Sequence, residues 1–167
     1  VGSEMCIRDR PMLAEAGLLA FEALRIAAGR PEITDIDERS LPHEYDWLAS
    51  AVHLSKGCYR GQETVAKVHN LGHPPRRLVV LNLEVGDTMA NPGEEIFYQG
   101  KLVGKVLAGA LHHEAGSLAL GLVNRNTPYL DLEVCGMTAS QRVLVPANAG
   151  KAANLPRPSA FKLSGKK

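Results

Sequence analysis

The chain has almost no excess of either charge: 19 Lys and Arg stand against 18 Asp and Glu, for a net charge of +1. That balance removes the electrostatic basis for nucleic acid or an anionic membrane as an obligate partner. No apolar run approaches the roughly 20 residues needed to span a bilayer, and no basic segment leads into an apolar one at the N-terminus. Neither a membrane-spanning helix nor a secretory leader is therefore expected. Cysteine is sparse: Cys6, Cys58 and Cys135 form no C-x-x-C pair and no disulfide framework. Thiols scattered this widely point to a reducing compartment, and the expected location is the cytoplasm. There is no internal repeat. What remains is an ordinary globular composition, 45% apolar and 22% charged over 167 residues. That length suits one compact domain, or one domain with part of another.

The first ten residues, VGSEMCIRDR, resemble over their whole length the translated adapter of a sequencing library, and residues 1–10 are set aside from fold reasoning. Cys6 goes with them. From Pro11 to Ala28, Leu13, Leu18, Phe21, Leu24 and Ile26 fall mostly at helical spacings among abundant alanine, and Gly29 with Arg30-Pro31 stops the helix. Glu32–Asp46 is polar and interrupted by Pro42, which predicts a loop. Trp47–Leu54 is apolar but too short to separate helix from strand. Gln62–Leu71 reads as a helix opened by Gly61, with Glu63 suiting the positive end of its dipole, and closed by Gly72 and Pro74-Pro75.

Beyond Arg77 the periodicity changes to that of strands. Leu78–Val85, Glu94–Tyr98, Lys101–Leu107, Leu118–Val123, Leu132–Cys135 and Gln141–Val145 are the predicted strands, with Gln99-Gly100 as a hairpin turn. A small antiparallel barrel is the expected architecture, with Val79, Leu81, Leu83, Val103, Val106, Leu120, Leu122 and Val143 on its inward face. Residues 150–167 carry five cations, no acid and two prolines, and read as a disordered basic tail.

The chemistry concentrates in Lys56-Gly57-Cys58-Tyr59-Arg60-Gly61-Gln62-Glu63. Cys58 stands between two cations and just ahead of a helix, three features that stabilise a thiolate. Gly57 and Gly61 let a ligand approach the main chain. Free cysteine is as often a small core residue, and from these features alone the two readings of Cys58 stand level. Cys135, within LEVCG, has the setting of a buried structural thiol.

KGCYRGQE resembles the K-G-C-x-x-G-Q-E signature of the YgfZ family, relatives of the glycine-cleavage T-protein. The likeness continues upstream through Leu24–Gly29, Asp35–Glu38 and Pro42–Glu44, and downstream through Val68–Gly72, Arg76–Leu78, Gly100–Val106 and Leu118–Val123. The resemblance implies an α+β fold: residues 11–75 as the C-terminal end of a T-protein-like folate-binding domain, followed over 76–149 by a small antiparallel β-barrel. It implies tetrahydrofolate as cofactor, with Glu44, Lys56, Gly57, Tyr59, Gly61, Gln62, Glu63 and Arg77 lining the site and Cys58 as the reacting residue. It further implies a role in assembling or maintaining iron–sulfur clusters in client enzymes, a tRNA-thiolating one among them. The motif cysteine separates this branch from the T-protein, an aminomethyltransferase.

Two departures bear on the transfer. Ala27 stands where many T-protein relatives carry a pterin-anchoring glutamate, and the N-terminal half of the family fold has no counterpart here. A tetrahydrofolate-dependent aminomethyltransferase and a non-catalytic partner-binding barrel remain competing readings. No metal site is expected: His112-His113-Glu114 fixes no ligand geometry. A resident cluster ordinarily needs about four thiolates, more than Cys58 and Cys135 supply.

Overall fold

Leu18–Ala27 forms α1 because its apolar positions follow the helical period, and it ends in a Schellman turn. There Gly29 takes φ +66°, its amide bonds Ile26 O at 2.8 Å, and the Arg30 amide bonds Arg25 O at 3.0 Å. The computed structural model describes residues 16–84 and 88–148. The adapter-like decapeptide, the predicted helical start at 11–15, Val85 and the basic tail lie outside the described residues. The polar loop expected after α1 holds two 3₁₀ turns, Ile33–Asp35 and Pro42–Tyr45. The ambiguous segment is a single helical turn, α2 (Leu48–Ala51), and α3 spans Gln62–Leu71.

Six strands follow: β1 (Arg76–Leu83), β2 (Glu95–Tyr98), β3 (Lys101–His112), β4 (Gly116–Asn124), β5 (Leu132–Val134) and β6 (Met137–Val143). They close into an antiparallel barrel in the order β1-β4-β3-β2-β5-β6, with β6 returning to β1. Its interior is filled by Val79, Leu81, Leu83, Ile96, Val106, Ala119, Val123, Leu132, Val134 and Ala139. A second core lies outside the barrel wall, where Leu78, Val80, Ala108, Ala110, Leu118, Leu120 and Leu122 pack against Ala23 and Ile26 of α1 and against Tyr45.

The inward face predicted for β1 and β3 is found, with Val103 packed against the interior as well. Leu120 and Leu122 instead face outward into the second core. β4 is buried on both faces, so its apolar run carries no alternation from which a face could be chosen. Val143 pairs with Val79 and is half-buried.

Gly109 marks a close approach between chain segments in the barrel. A Cβ there would meet the carbonyl oxygen of Ala90 at 2.0 Å, a backbone atom that no side-chain rotation clears. Gly109→Ala is expected to cost about 1–3 kcal/mol, the range for overpacking a close contact, read as a lowered urea midpoint at unchanged slope. A midpoint equal to that of the parent would show that the segment carrying Ala90 gives way freely.

Candidate functional site

The barrel presents Arg76, the first residue of β1, to the segment that precedes it. Its Nε and Nη2 donate to Glu44 Oε1 and Oε2 at 2.9 Å each, and Nη1 and Nη2 donate to Asp37 at 2.7 and 3.1 Å. Glu44 is fully buried and also accepts the Leu41 amide at 3.0 Å. One guanidinium thus clasps two carboxylates in forked geometry. The hydrogen bond from Arg76 holds the Asp37 carboxyl well below the usual carboxylate range, and the Ser40 hydroxyl adds to it. A parallel clasp ties α1 down: the buried guanidinium of Arg25 reaches Glu22 and Asp35, each at 2.7 Å.

The motif lies beside this frame. Gly61 adopts φ +81°, a left-handed conformation that suits glycine, and its carbonyl accepts the Val65 amide at 3.1 Å to start α3. Cys58 is exposed on the loop before it. Lys56 Nζ lies 5.8 Å from the centre of the Tyr59 ring, within cation–π range. Lys56, Tyr59 and Arg60, with Pro42, Val52 and His53, border a cavity of about 340 Å³. Gln62 is half-buried, Glu63 and Gly57 are exposed, and nothing lies within 4 Å of the space a Gly57 Cβ would take.

Polar atoms are left over at this junction. Both ring nitrogens of His43, Nδ1 of His69 and the hydroxyl of Tyr59 are buried without a hydrogen-bond partner. The two rings are 6.2 Å apart. Burial, and then the neighbouring His69, lower the His43 pKa, while Glu44 opposes them, so His43 is neutral at physiological pH.

The sequence-predicted residues divide into three groups. Lys56, Gly57, Cys58, Tyr59, Gly61, Gln62 and Glu63 are brought together on one loop and helix start. Glu44 lies across from them, but its carboxylate is taken up by Arg76 rather than open to a ligand. Arg77 does not bond to Glu44: it is fully buried, with Nη2 donating to Thr127 O at 2.8 Å. Successive strand residues point to opposite faces, so only one of the two arginines can meet Glu44, and it is Arg76. Of the two adjacent arginines, either of which the sequence allows to meet a carboxylate, Arg76 makes the clasp; Asp37 and His43, not singled out by the sequence, are the other residues found at this junction. Cys135 is not in a buried strand. It occupies the β5–β6 turn at φ +54° and donates its thiol hydrogen to Glu94.

Among the described residues no group of three His, Cys, Asp or Glu side chains is placed to hold a metal ion, and no helix is long and apolar enough to cross a membrane. His112 Nδ1 accepts the amides of Glu114 and Ala115 at 3.2 Å, which makes it a turn residue.

The architecture is that of the glycine-cleavage T-protein. The crystal structure of the aminomethyltransferase T of the Bartonella henselae glycine cleavage system matches 89% of this chain and 44% of its own, with a TM-score of 0.69 at 19% identity. In sequence, the chain is similar to an aminomethyltransferase of Rippkaea orientalis, 36% identical over 138 residues, covering 77% of this chain and 36% of that protein. A chloroplastic protein of Arabidopsis thaliana, provisionally named a transferase, is 38% identical over 105 residues, covering 58% of this chain and 23% of its own. The chain therefore spans between 23% and 36% of the length of these curated relatives. No family model matches it.

Proposed function

We propose that this chain is part of a folate-binding accessory protein that supports iron–sulfur enzymes in the cytoplasm, with Cys58 as its reacting residue. The observation that carries the reading is the exposed Cys58 thiol between Lys56 and Arg60, on the loop that borders the 340 Å³ cavity. That volume lies within the range of small-molecule sites, at its lower end. Lys56 and Arg60 suit the carboxylates of a folate, and Tyr59, with its buried unpartnered hydroxyl, supplies a donor. For the pterin end, Glu44 is spent on Arg76 and position 27 is alanine. This chain is thus fitted to the acidic end of such a ligand. Tetrahydrofolate, when bound, supplies a one-carbon carrier; the residues here bind and orient it. Cys58 and Cys135 lie on different elements and cannot jointly provide a cluster's ligand set.

The resemblance to a protein named aminomethyltransferase favours a second reading, methylene transfer to tetrahydrofolate, in which Cys58 has no part. Calorimetric titration of the intact gene product with tetrahydrofolate, repeated with Cys58→Ser, tests both. Binding is expected in both proteins, with loss of iron–sulfur enzyme activity in Cys58→Ser cells. No binding at millimolar ligand would sink both readings. Binding together with aminomethyl transfer that survives Cys58→Ser would select the second.

A further inference from the structure

A cavity of about 570 Å³ opens where the end of α1, the Pro42–Tyr45 turn and the residue after β6 converge. Its wall includes Gly29, Arg30, Tyr45, Asp46, Trp47 and Leu144. Leu144 closes against Gly29, where a Cβ would meet its Cδ1 at 2.4 Å. The Trp47 ring stacks on Tyr45, with 5.0 Å between centres and 25° between planes. Tyr45 is itself held in place: it is buried, and its hydroxyl bonds Ser40 Oγ at 2.9 Å and donates to Asp35 O at 3.3 Å. The aromatic surface at the cavity is therefore pre-formed and costs an occupant little to order. Asp46 is exposed, and among the described residues no hydrogen bond or ion pair engages its carboxylate.

We propose that this cavity is the docking site of the chain's own segment Leu155-Pro156-Arg157-Pro158, with the prolines laid on Trp47 and the Arg157 guanidinium on Asp46. Leu144 is a wall of the cavity, and the described chain ends soon after it, at Asn148. From Asn148 to Pro156 an extended chain reaches roughly 26–29 Å, more than the width of a cavity this size. Prolines fix an extended backbone, and grooves lined by aromatic rings recognise that shape at low entropic cost. Residues 150–167 carry cations and no acid, so the tail complements Asp46, and Arg157 is the cation set between the two prolines. Arg30 offers donors for the main-chain carbonyls that such a backbone leaves unpaired. Tethering supplies an effective concentration of millimolar order, so a weak contact suffices. The docked segment ties the end of α1 and the turn carrying Glu44 to the last strand of the barrel. It is independent of the reading given to Cys58.

Trp47 is the single tryptophan of the chain and reports on the cavity directly. Acrylamide quenching of its fluorescence in the full chain tests the docking. Pro156→Ser with Pro158→Ser is expected to raise the quenching constant about twofold, as when a segment docked in most molecules is released. Both substitutions lie beyond every described strand and leave the barrel core untouched. Arg157→Gln and Asp46→Asn should each raise the constant by a smaller amount. The double variant should go no further than either alone, because both remove the same contact. Asparagine tolerates the left-handed conformation that Asp46 holds at φ +59°, so Asp46→Asn keeps the turn. An unchanged constant in the proline variant, or additive effects of Arg157→Gln and Asp46→Asn, would overturn the proposal. Quenching that rises on dilution of the parent chain would overturn it in favour of the tail of a second copy.

Discussion

Arg76→Met is expected to destabilise the protein by about 3–5 kcal/mol, the range for removing one partner of a buried ion pair. The loss is large because of what stays behind. Glu44 is fully buried, and without Arg76 its carboxylate keeps, among the described residues, the Leu41 amide. Arg76→Lys should recover little, since an ammonium cannot reproduce four forked bonds to two carboxylates. A double variant, Arg76→Met with Glu44→Gln, should recover part of the loss by removing the stranded charge. The pH dependence has a definite sign. Arg76 depresses the folded-state pKa of Asp37 below its unfolded value. Its contribution is therefore complete above about pH 5 and drains away as pH falls towards the folded value. Arg76→Met should flatten that acid-side slope. Urea unfolding at pH 7 and at several points down to pH 3 measures both effects; a loss under about 1 kcal/mol at pH 7 would show that Glu44 finds water or another donor when the clasp is cut.

How far these elements were legible depended on whether a local rule decided them. α3 was bounded at Gln62 and Leu71 because glycines flank it and prolines follow. Gln99-Gly100 reads as a turn, and both residues take positive φ, as a tight hairpin requires. Cys135-Gly136 makes the same kind of turn, at φ +54° and +72°. The sequence hides it, because a cysteine in an apolar context reads as strand interior. The face of β4 was not legible at all. Whether Ala119 or Leu120 looks into the barrel depends on what covers the outside, and α1 is far away in sequence. The same holds for Arg76 and Arg77: strand alternation guarantees that they part, while tertiary packing decides which meets Glu44. The motif loop was legible as a cluster because its residues are contiguous. The clasp beside it was not, because Asp37, Glu44 and Arg76 meet only once the barrel has formed.

The two described thiols should separate sharply in reactivity, with Cys58 alkylated about tenfold or more faster than Cys135 at pH 8. Both are exposed, so access does not distinguish them. Ionisation does. Partial desolvation, and then the hydrogen bond to the Glu94 carboxylate, push the Cys135 thiol up to about 11, which leaves about one in a thousand as thiolate at pH 8. The higher intrinsic nucleophilicity of a more basic thiolate returns roughly a factor of ten, and the net advantage remains with Cys58. Iodoacetamide labelling read by peptide mass spectrometry, in a Cys6→Ser background, gives the ratio directly. Glu94→Gln should speed Cys135 by removing the carboxylate that holds its proton, while leaving Cys58 unchanged. If Cys58 is the reacting residue of the proposed accessory role, Cys58→Ser in the intact gene should abolish support of iron–sulfur enzymes without lowering Tm. Cys135→Ser should leave that support intact, since a serine can keep the turn and the bond to Glu94. Equal labelling rates would remove the chemical distinction drawn here. A fully active Cys58→Ser protein would transfer the function to the cavity beside it.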